Sequence, residues 1–300
     1  MITVLLAGAL LSASPLQQQQ QTFDTDTTVS VSAGTRLKLE NVGGEVIIKA
    51  WDKNQVRVQA SHSSRTAVDI NLSESSLRLS PKGSRGTMRM GGVVDYVLTV
   101  PAAMSIEIGG MYADVTIEGT RGDISVQTVE GNINVKGGGE NLQLQTVNGK
   151  INVQGAKGRL DVRSVSEDID VSDVVGDVTA ETVSGDVTLT RIDGKRVEAQ
   201  TVSGDVRFDG TLRPDGTYSL LTHSGDVVVG IPENASALIR TAVANGDVSA
   251  SFALPANERS SRRRQEYRLG SGGASIELET FSGDIRLVRP TEMRTRKQEE

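Results

Sequence analysis

Apolar residues stand at Ile106, Ile108, Met111, Val115 and Ile117, and the same offsets return eighteen residues later at Ile124, Val126, Val129, Ile133 and Val135. Three more sets follow without a slip: Leu142, Leu144, Val147, Ile151, Val153; then Leu160, Val162, Val165, Ile169, Val171; then Val178, Ala180, Val183, Val187, Leu189. With small insertions the series runs on through Val197–Phe208 and Tyr218–Val229, degenerates at Ile239–Ala250, and ends at Ile276–Leu287. An early copy stands apart at Leu37, Leu39, Val42, Val46 and Ile48. A chain that repeats at this period must be built as an array, because no single unit can bury its own apolar positions.

Each unit holds two apolar i, i+2 pairs nine residues apart. Alternation with period two marks a strand with one buried face. Two such strands per eighteen residues predict one coil of an all-β, parallel β-solenoid (β-helix), with like residues stacked about 4.8 Å apart. Nine or so coils give a rod on the order of 45 Å long. The fifth apolar residue of each unit, at Met111, Val129 and their equivalents, is expected at a corner of the core.

The hexapeptide "TVSGDV" occurs at Thr182–Val187 and again at Thr201–Val206, with near-copies from Thr222, Val243 and Thr280. Turn chemistry accounts for each of its residues. Glycine supplies a positive φ, and aspartate can accept hydrogen bonds from nearby amides. Valine then begins the next inward strand. Thr128, Thr146, Ser164, Thr182, Thr201, Thr222 and Thr280 form a hydroxyl column expected to hydrogen-bond along the stack.

Residues 22–289 read as one solenoid domain. Within it, 22–100 forms an irregular N-terminal β cap, needed because a bare terminal coil offers an unpaired edge. Residues 101–289 form the regular coils, interrupted by a polar surface loop at 255–273. Residues 290–300 read as a disordered charged tail. The start, "MITVLLAGALLSASPLQQQQQ", has an apolar run from Ile2 to Leu11 that is too short to span a bilayer and suits a secretory signal. No Lys or Arg precedes that run. Residues 1–21 are thus expected to be a signal peptide with a Gln-rich linker, and the protein to be exported, in the periplasm or at the cell surface.

Composition removes several function classes. With no cysteine there is no disulfide, thiolate metal site, cysteine nucleophile or residue to carry a lipoprotein anchor. A net charge of −6 points to no nucleic-acid partner. Only 3% of residues are aromatic, so Val and Ile must supply the core.

The segments "LKLENVGGEVIIKAWDKNQVRV" and "VVDYVLTVPAAMSIEI", with the serial "TVSGDV" units ending in "SIELETFSGDIRL", resemble the bacterial putative-adhesin family. These are β-strand-repeat domains of unknown function with an adhesin-like head. The resemblance spans Phe23 to Val288. It implies a secreted or envelope-associated β-solenoid, and brings over no catalytic or ligand-binding residue.

Candidates for chemistry are few. His223, Ser224 and Asp226 look like a hydrolase trio, but they fall on one turn without the pocket and oxyanion hole such a site needs. His223 occupies the corner column, so a partly buried corner residue is expected. Asp186, Asp205, Asp226, Asp247 and Asp284 stack into a column that Ca²⁺ could neutralise, yet few oxygen ligands converge per turn. Arg262, Arg263 and Arg264 read as a solvated basic cluster. Trp51 and Tyr112 are the aromatics expected at exposed sheet edges. No catalytic, cofactor-binding or metal-ligating residue is assigned, and no cofactor. The expected function is a non-catalytic exported module, adhesive or structural in the cell envelope, binding a glycan, envelope polymer or surface protein along flat sheet faces. The alternative is a diverged polysaccharide-active β-helix enzyme. The irregular cap and charged tail argue against end-to-end assembly, and the chain is expected to be a monomer with no transmembrane segment.

Overall fold

The computed structural model describes residues 24–83, 92–255, 259–260 and 264–296. Residues 1–21, read above as a signal peptide and linker, lie outside the described residues.

The period becomes a parallel stack. Leu142 pairs with Ile124 on one side and Leu160 on the other, while Ile151 pairs with Ile133 and Ile169. Both i, i+2 pairs of every coil point inward, and the columns merge into a single apolar cluster in which Ile133, Ile151 and Val187 are fully buried. This is the expected all-β solenoid with two strands per coil.

The corners differ from expectation. Met111, Val129, Val147, Val165, Val183 and Val202 are not core residues; they are 37% to 48% exposed. A different column fills the inner corner, three residues after the second apolar pair: Thr120, Gly138, Ala156, Val174 and Ile192, all buried. Both positions follow a strand, and alternation alone does not say which way a side chain points once the backbone has turned.

The stacking order departs from the chain order at both ends. The chain's first coil, Arg36–Trp51, lies between Ile106–Glu118 and a coil made of Ser76–Gly83 and Val94–Pro101. That outer coil sits within the segment expected to be irregular, yet its columns are in register: Leu37 faces Leu77, and Val46 faces Tyr96. Its register is obscured in the sequence by the residues between its two strands. At the other end, Ala274–Ser282 and Ile285–Val288 slot between Thr217–Gly230 and Ala237–Ala250.

Antiparallel strands cover the ends. Thr66–Leu72 pairs with Ser76–Gly83, and Gln55–His62 pairs with Val94–Pro101 and with Thr25–Ser30. Arg264–Leu269, expected to be part of a surface loop, pairs antiparallel with the outermost strand Ala237–Asn245. A parallel stack cannot continue against an antiparallel strand in the same register, so these strands end it and protect its edges. Beyond the last coil, Pro290–Arg296 is a helix where a disordered tail over 290–300 is expected from the sequence; residues 297–300 lie outside the described residues. Arg289 fixes its start, stacking over the Phe252 ring at 4.0 Å and donating to the Ile231 carbonyl at 2.9 Å.

Side-chain hydroxyls tie coil to coil. Each column hydroxyl from Thr201 to Thr280 donates to a corner carbonyl of the coil stacked before it: Thr201 to Gly185 at 3.0 Å, Thr222 to Gly204 at 2.8 Å, Thr280 to Gly225 at 2.9 Å. The hydroxyls therefore bond along the stack, to backbone and not to one another. Glycine is required at these corners. Gly204 has φ +145°, and a Cβ there would lie 2.1 Å from the Gly185 carbonyl oxygen.

Candidate functional site

The exposed corner column borders a groove that runs along the solenoid axis, perpendicular to the strands. Its floor is the hydroxyl column, buried and already hydrogen-bonded. One wall is the apolar column from Met111 through Val183 to His223 and Phe281. The other wall, two residues earlier in each coil, carries Gln127, Gln145, Arg163, Glu181, Gln200, Leu221 and Glu279. One stretch, about 670 Å³, lies beside Met111 and Val129, and a second, about 560 Å³, runs from Val165 to Phe281. Past Phe281 the groove meets Ala244 and Arg264 on the outermost strands.

The local sequence explains why this wall is apolar yet wet. At Val147, Val183, Val202, His223 and Phe281 the column residue follows a buried threonine and precedes an Asn-Gly or Ser-Gly turn, so its side chain leaves the core as the backbone bends. Its backbone is engaged: the carbonyls of Met111, Val129, Val147 and Val165 accept the N–H groups of Glu130, Asn148, Ser166 and Ser184. What the corner offers a partner is therefore methyl groups, not strand-edge hydrogen bonds. Soluble proteins seldom leave a contiguous apolar stripe facing water unless it meets something.

The charged residues of the other wall are Arg163, Glu181 and Glu279. The Arg163 guanidinium lies 3.2 Å from the Glu181 carboxylate and 3.3 Å from Asp161. At the far end the imidazole of His223 stacks on the Phe281 ring, centroids 4.8 Å apart and nearly parallel at 8°. His223 is exposed, in contrast to the partly buried position expected of it.

The hydrolase-like trio is not assembled. The Asp226 carboxylate accepts the Asp284 N–H at 2.8 Å and pairs with Arg286 at 2.7 Å, while His223 is committed to Phe281. Ser224 lies in register with Ser203 and Ser282 as one rung of a ladder.

The aspartate column is a hydrogen-bonded ladder. Asp186 Oδ1 accepts the Asp205 N–H at 2.8 Å, and Asp205 Oδ1 accepts that of Asp226 at 2.9 Å. Its last members are exchanged relative to the chain, since Asp284 follows Asp226 and itself accepts from Asp247. Arg207 and Arg286 each bridge two of these carboxylates. Among the described residues no group of three or more His, Asp or Glu side chains is placed to hold a metal ion.

The sheet faces are covered with ion pairs. Lys150 reaches Asp170 at 2.8 Å, and that hydrogen bond holds its ammonium above the ordinary lysine range. The Arg191 guanidinium, bonding Asp173, holds that carboxyl below the ordinary carboxylate range. Such charged faces are poor ground for the flat-face binding expected from the sequence.

The expected aromatics fare unequally. Tyr112 is exposed, beside Met111 at the head of the groove. Trp51 is half-buried, its indole N–H donating to Gln55 and its ring lying 5.0 Å from the Lys53 ammonium. Of the arginine cluster, Arg262 and Arg263 lie outside the described residues, and Arg264 stands at the groove's end. A further recess of about 570 Å³ lies by Arg191, Asp209, Leu212 and Pro290, lined by loops and without the repeated chemistry of the groove. No helix among the described residues is long and apolar enough to cross a membrane.

Fold and groove together define a class: an all-β parallel solenoid with one solvent-facing apolar corner. The chain belongs to the Toastrack family DUF4097, whose model matches residues 34–288. This bears out the resemblance to adhesin-like domains of unknown function. Two crystal structures are similar to the chain. One is a putative cell adhesion protein from Clostridium sporogenes, 11% identical, covering 88% of this chain and 100% of its own, with a TM-score of 0.20. The other is a putative adhesin from Bacteroides fragilis, 13% identical, covering 88% of this chain and 96% of its own, with a TM-score of 0.37. Neither superposition is close enough to transfer a feature to this chain. Comparison with curated proteins gave no match.

Proposed function

We propose that the protein is an exported, non-catalytic docking module that engages a surface partner along its apolar corner. The observation that carries this reading is the row of half-exposed Val side chains facing water on consecutive coils, bordered by neutral amides, the Arg163–Glu181 ion pair and Glu279. The residue types usually recruited for catalysis have structural duties in the repeat. Aspartates hold the ladder, hydroxyls bond corner carbonyls, and His223 is stacked on a ring. The apolar run Ile2–Leu11 supports export. Of the partners expected (a glycan, an envelope polymer or a surface protein), apolar side chains of a protein best match a methyl-lined wall.

The test is a binding assay on purified protein against cell-envelope fractions and surface proteins, with Val165→Lys and Val183→Lys as probes. Both positions are exposed, so the variants should keep the wild-type melting temperature while losing binding. A parallel hydrolase and lyase screen on polysaccharides and esters should show no turnover. Turnover abolished by changing His223 or a single ladder aspartate would overturn the reading.

A further inference from the structure

The groove's symmetry says what kind of protein fits it. Its chemistry repeats once per coil, at the ~4.8 Å spacing between stacked strands. A second solenoid of the same sequence necessarily has that spacing, so its side chains stay in step along the whole contact.

A rod docking on its own copy along this groove has two choices of two-fold axis. A two-fold parallel to the solenoid axis would set the Val column of one copy against the polar wall of the other. A two-fold perpendicular to it, lying in the interface, sets Val on Val and polar on polar with the rods antiparallel. Only the second is self-complementary in the sense an isologous interface requires.

The charges then select the register. Centring the two-fold between the Arg163 and Glu181 coils engages the full length of the groove. Val165 meets the partner's Val183, Val147 meets the partner's Val202, and Met111 meets the partner's Phe281, a sulfur–aromatic contact. Arg163 falls opposite the partner's Glu181, and Glu181 opposite the partner's Arg163. Sliding the rods by one coil places Arg163 against Arg163 or Glu181 against Glu181, a like-charge clash that disfavours the neighbouring registers.

We propose that the apolar corner is a homophilic docking surface, on which a second copy of this chain binds antiparallel about a two-fold between the Val165 and Val183 coils. This replaces the monomer expected from the sequence. It rests on the docking role given to the corner above and names the partner.

The chain has no cysteine, so paired cysteines give a direct readout. Val147 and Val202 stand three coils apart within one rod, about 14 Å, too far for a disulfide between them. In the proposed dimer each lies against the other residue of the partner. The double variant Val147→Cys/Val202→Cys should oxidise to a covalent dimer, and either single variant should not. Sedimentation of the cysteine-free full chain should show a monomer–dimer equilibrium. Val183→Lys, which enters the interface twice, should weaken it about 100-fold or more at unchanged melting temperature. Arg163→Glu should weaken it, and Arg163→Glu/Glu181→Arg should restore it.

Cross-linking by the single variant Val147→Cys would mean another register or orientation and overturn the proposal. A chain that stays monomeric at 100 µM (a concentration chosen to reveal weak pairing) overturns it too. If that monomer binds an envelope fraction and Val183→Lys abolishes the binding, the docking role of the corner survives with another partner. If Val183→Lys changes no binding at all, both readings fall.

Discussion

The carboxylate of Asp226 accepts the backbone N–H of Asp284 at 2.8 Å, across 58 residues of chain, although Asp247 is the next ladder residue in sequence. That bond spans the junction where the last coil slots between two earlier ones. Its removal should therefore be felt at the fold's C-terminal end. Asp226→Ala leaves a semi-buried N–H without its acceptor and the Arg286 guanidinium with the more distant Asp284 alone of its two carboxylates, and should cost about 1–3 kcal/mol in urea unfolding. Asp226→Asn keeps the Oδ1 acceptor and should cost less than half as much. Equal losses for the two variants would show that the ion pair and not the ladder bond holds the junction.

The two corner columns predict opposite outcomes for the same change. Val174→Asp places an unpaired charge at a position 1% exposed and should unfold the rod, as should Ile151→Asp in the central core, each at a cost of several kcal/mol. Val183→Asp, three residues after the next buried pair begins to turn, should change stability by less than about 0.5 kcal/mol. Thermal melts of the three proteins decide it. A severe loss at Val183 would mean that its side chain is packed.

Tyr96 gives a counterintuitive case. Its ring is fully buried in the outermost N-terminal coil, and its hydroxyl has no hydrogen-bond partner. Tyr96→Phe should therefore be neutral or stabilising by about 1 kcal/mol at pH 7. Burial also raises the phenol above the ordinary tyrosine range, so the folded chain holds this proton more tightly than the unfolded one. The resulting stability is fully present below the unfolded value of about 10 and declines as pH rises beyond it. Tyr96→Phe should shallow that alkaline decline, leaving the smaller shares of Tyr218 and Tyr267, which burial also raises.

The aspartate ladder predicts indifference to calcium. Its Oδ1 atoms already accept backbone N–H groups, and arginines lie on the outer oxygens of several members. Melting temperatures in EDTA and in millimolar Ca²⁺ should agree within a degree or so. A large rise with calcium would reveal binding to the native state, because such binding must add stability.

Much of this architecture was legible because alternation within a strand has a fixed phase. Ile133 and Val135, or Leu160 and Val162, could be assigned to the core from spacing alone. The corners were not legible in the same way. Val165 and Val174 are both valines beside a turn, and which one points inward depends on backbone dihedrals that alternation does not encode. The order of stacking was hidden for a related reason. Ile239, Ile276 and Tyr218 occupy equivalent positions, so any of these coils could stack on any other in register, and only connecting segments and end-covering strands choose. The groove follows from the misread corner. Its clearest sequence signal is an apolar residue before the turn, as at Val147, Val183, Val202 and Phe281, where a polar residue would serve the turn as well; spacing alone assigns it to a corner of the core.

The exchanged coils at both ends bear on how such a chain can change its length. In an ordinary solenoid a unit can be gained or lost at either terminus, and the rod merely grows or shrinks. Here the first and last coils of the chain lie inside the stack, each held beneath a neighbour that is itself overlaid by antiparallel strands. Losing a terminal unit would open a gap in the rod instead of shortening it. Duplication or deletion is accommodated only in the middle, from Ile106 to Gly230, where chain order and spatial order agree. Lineages of this fold are expected to vary in length there and to inherit the two clasped ends as units.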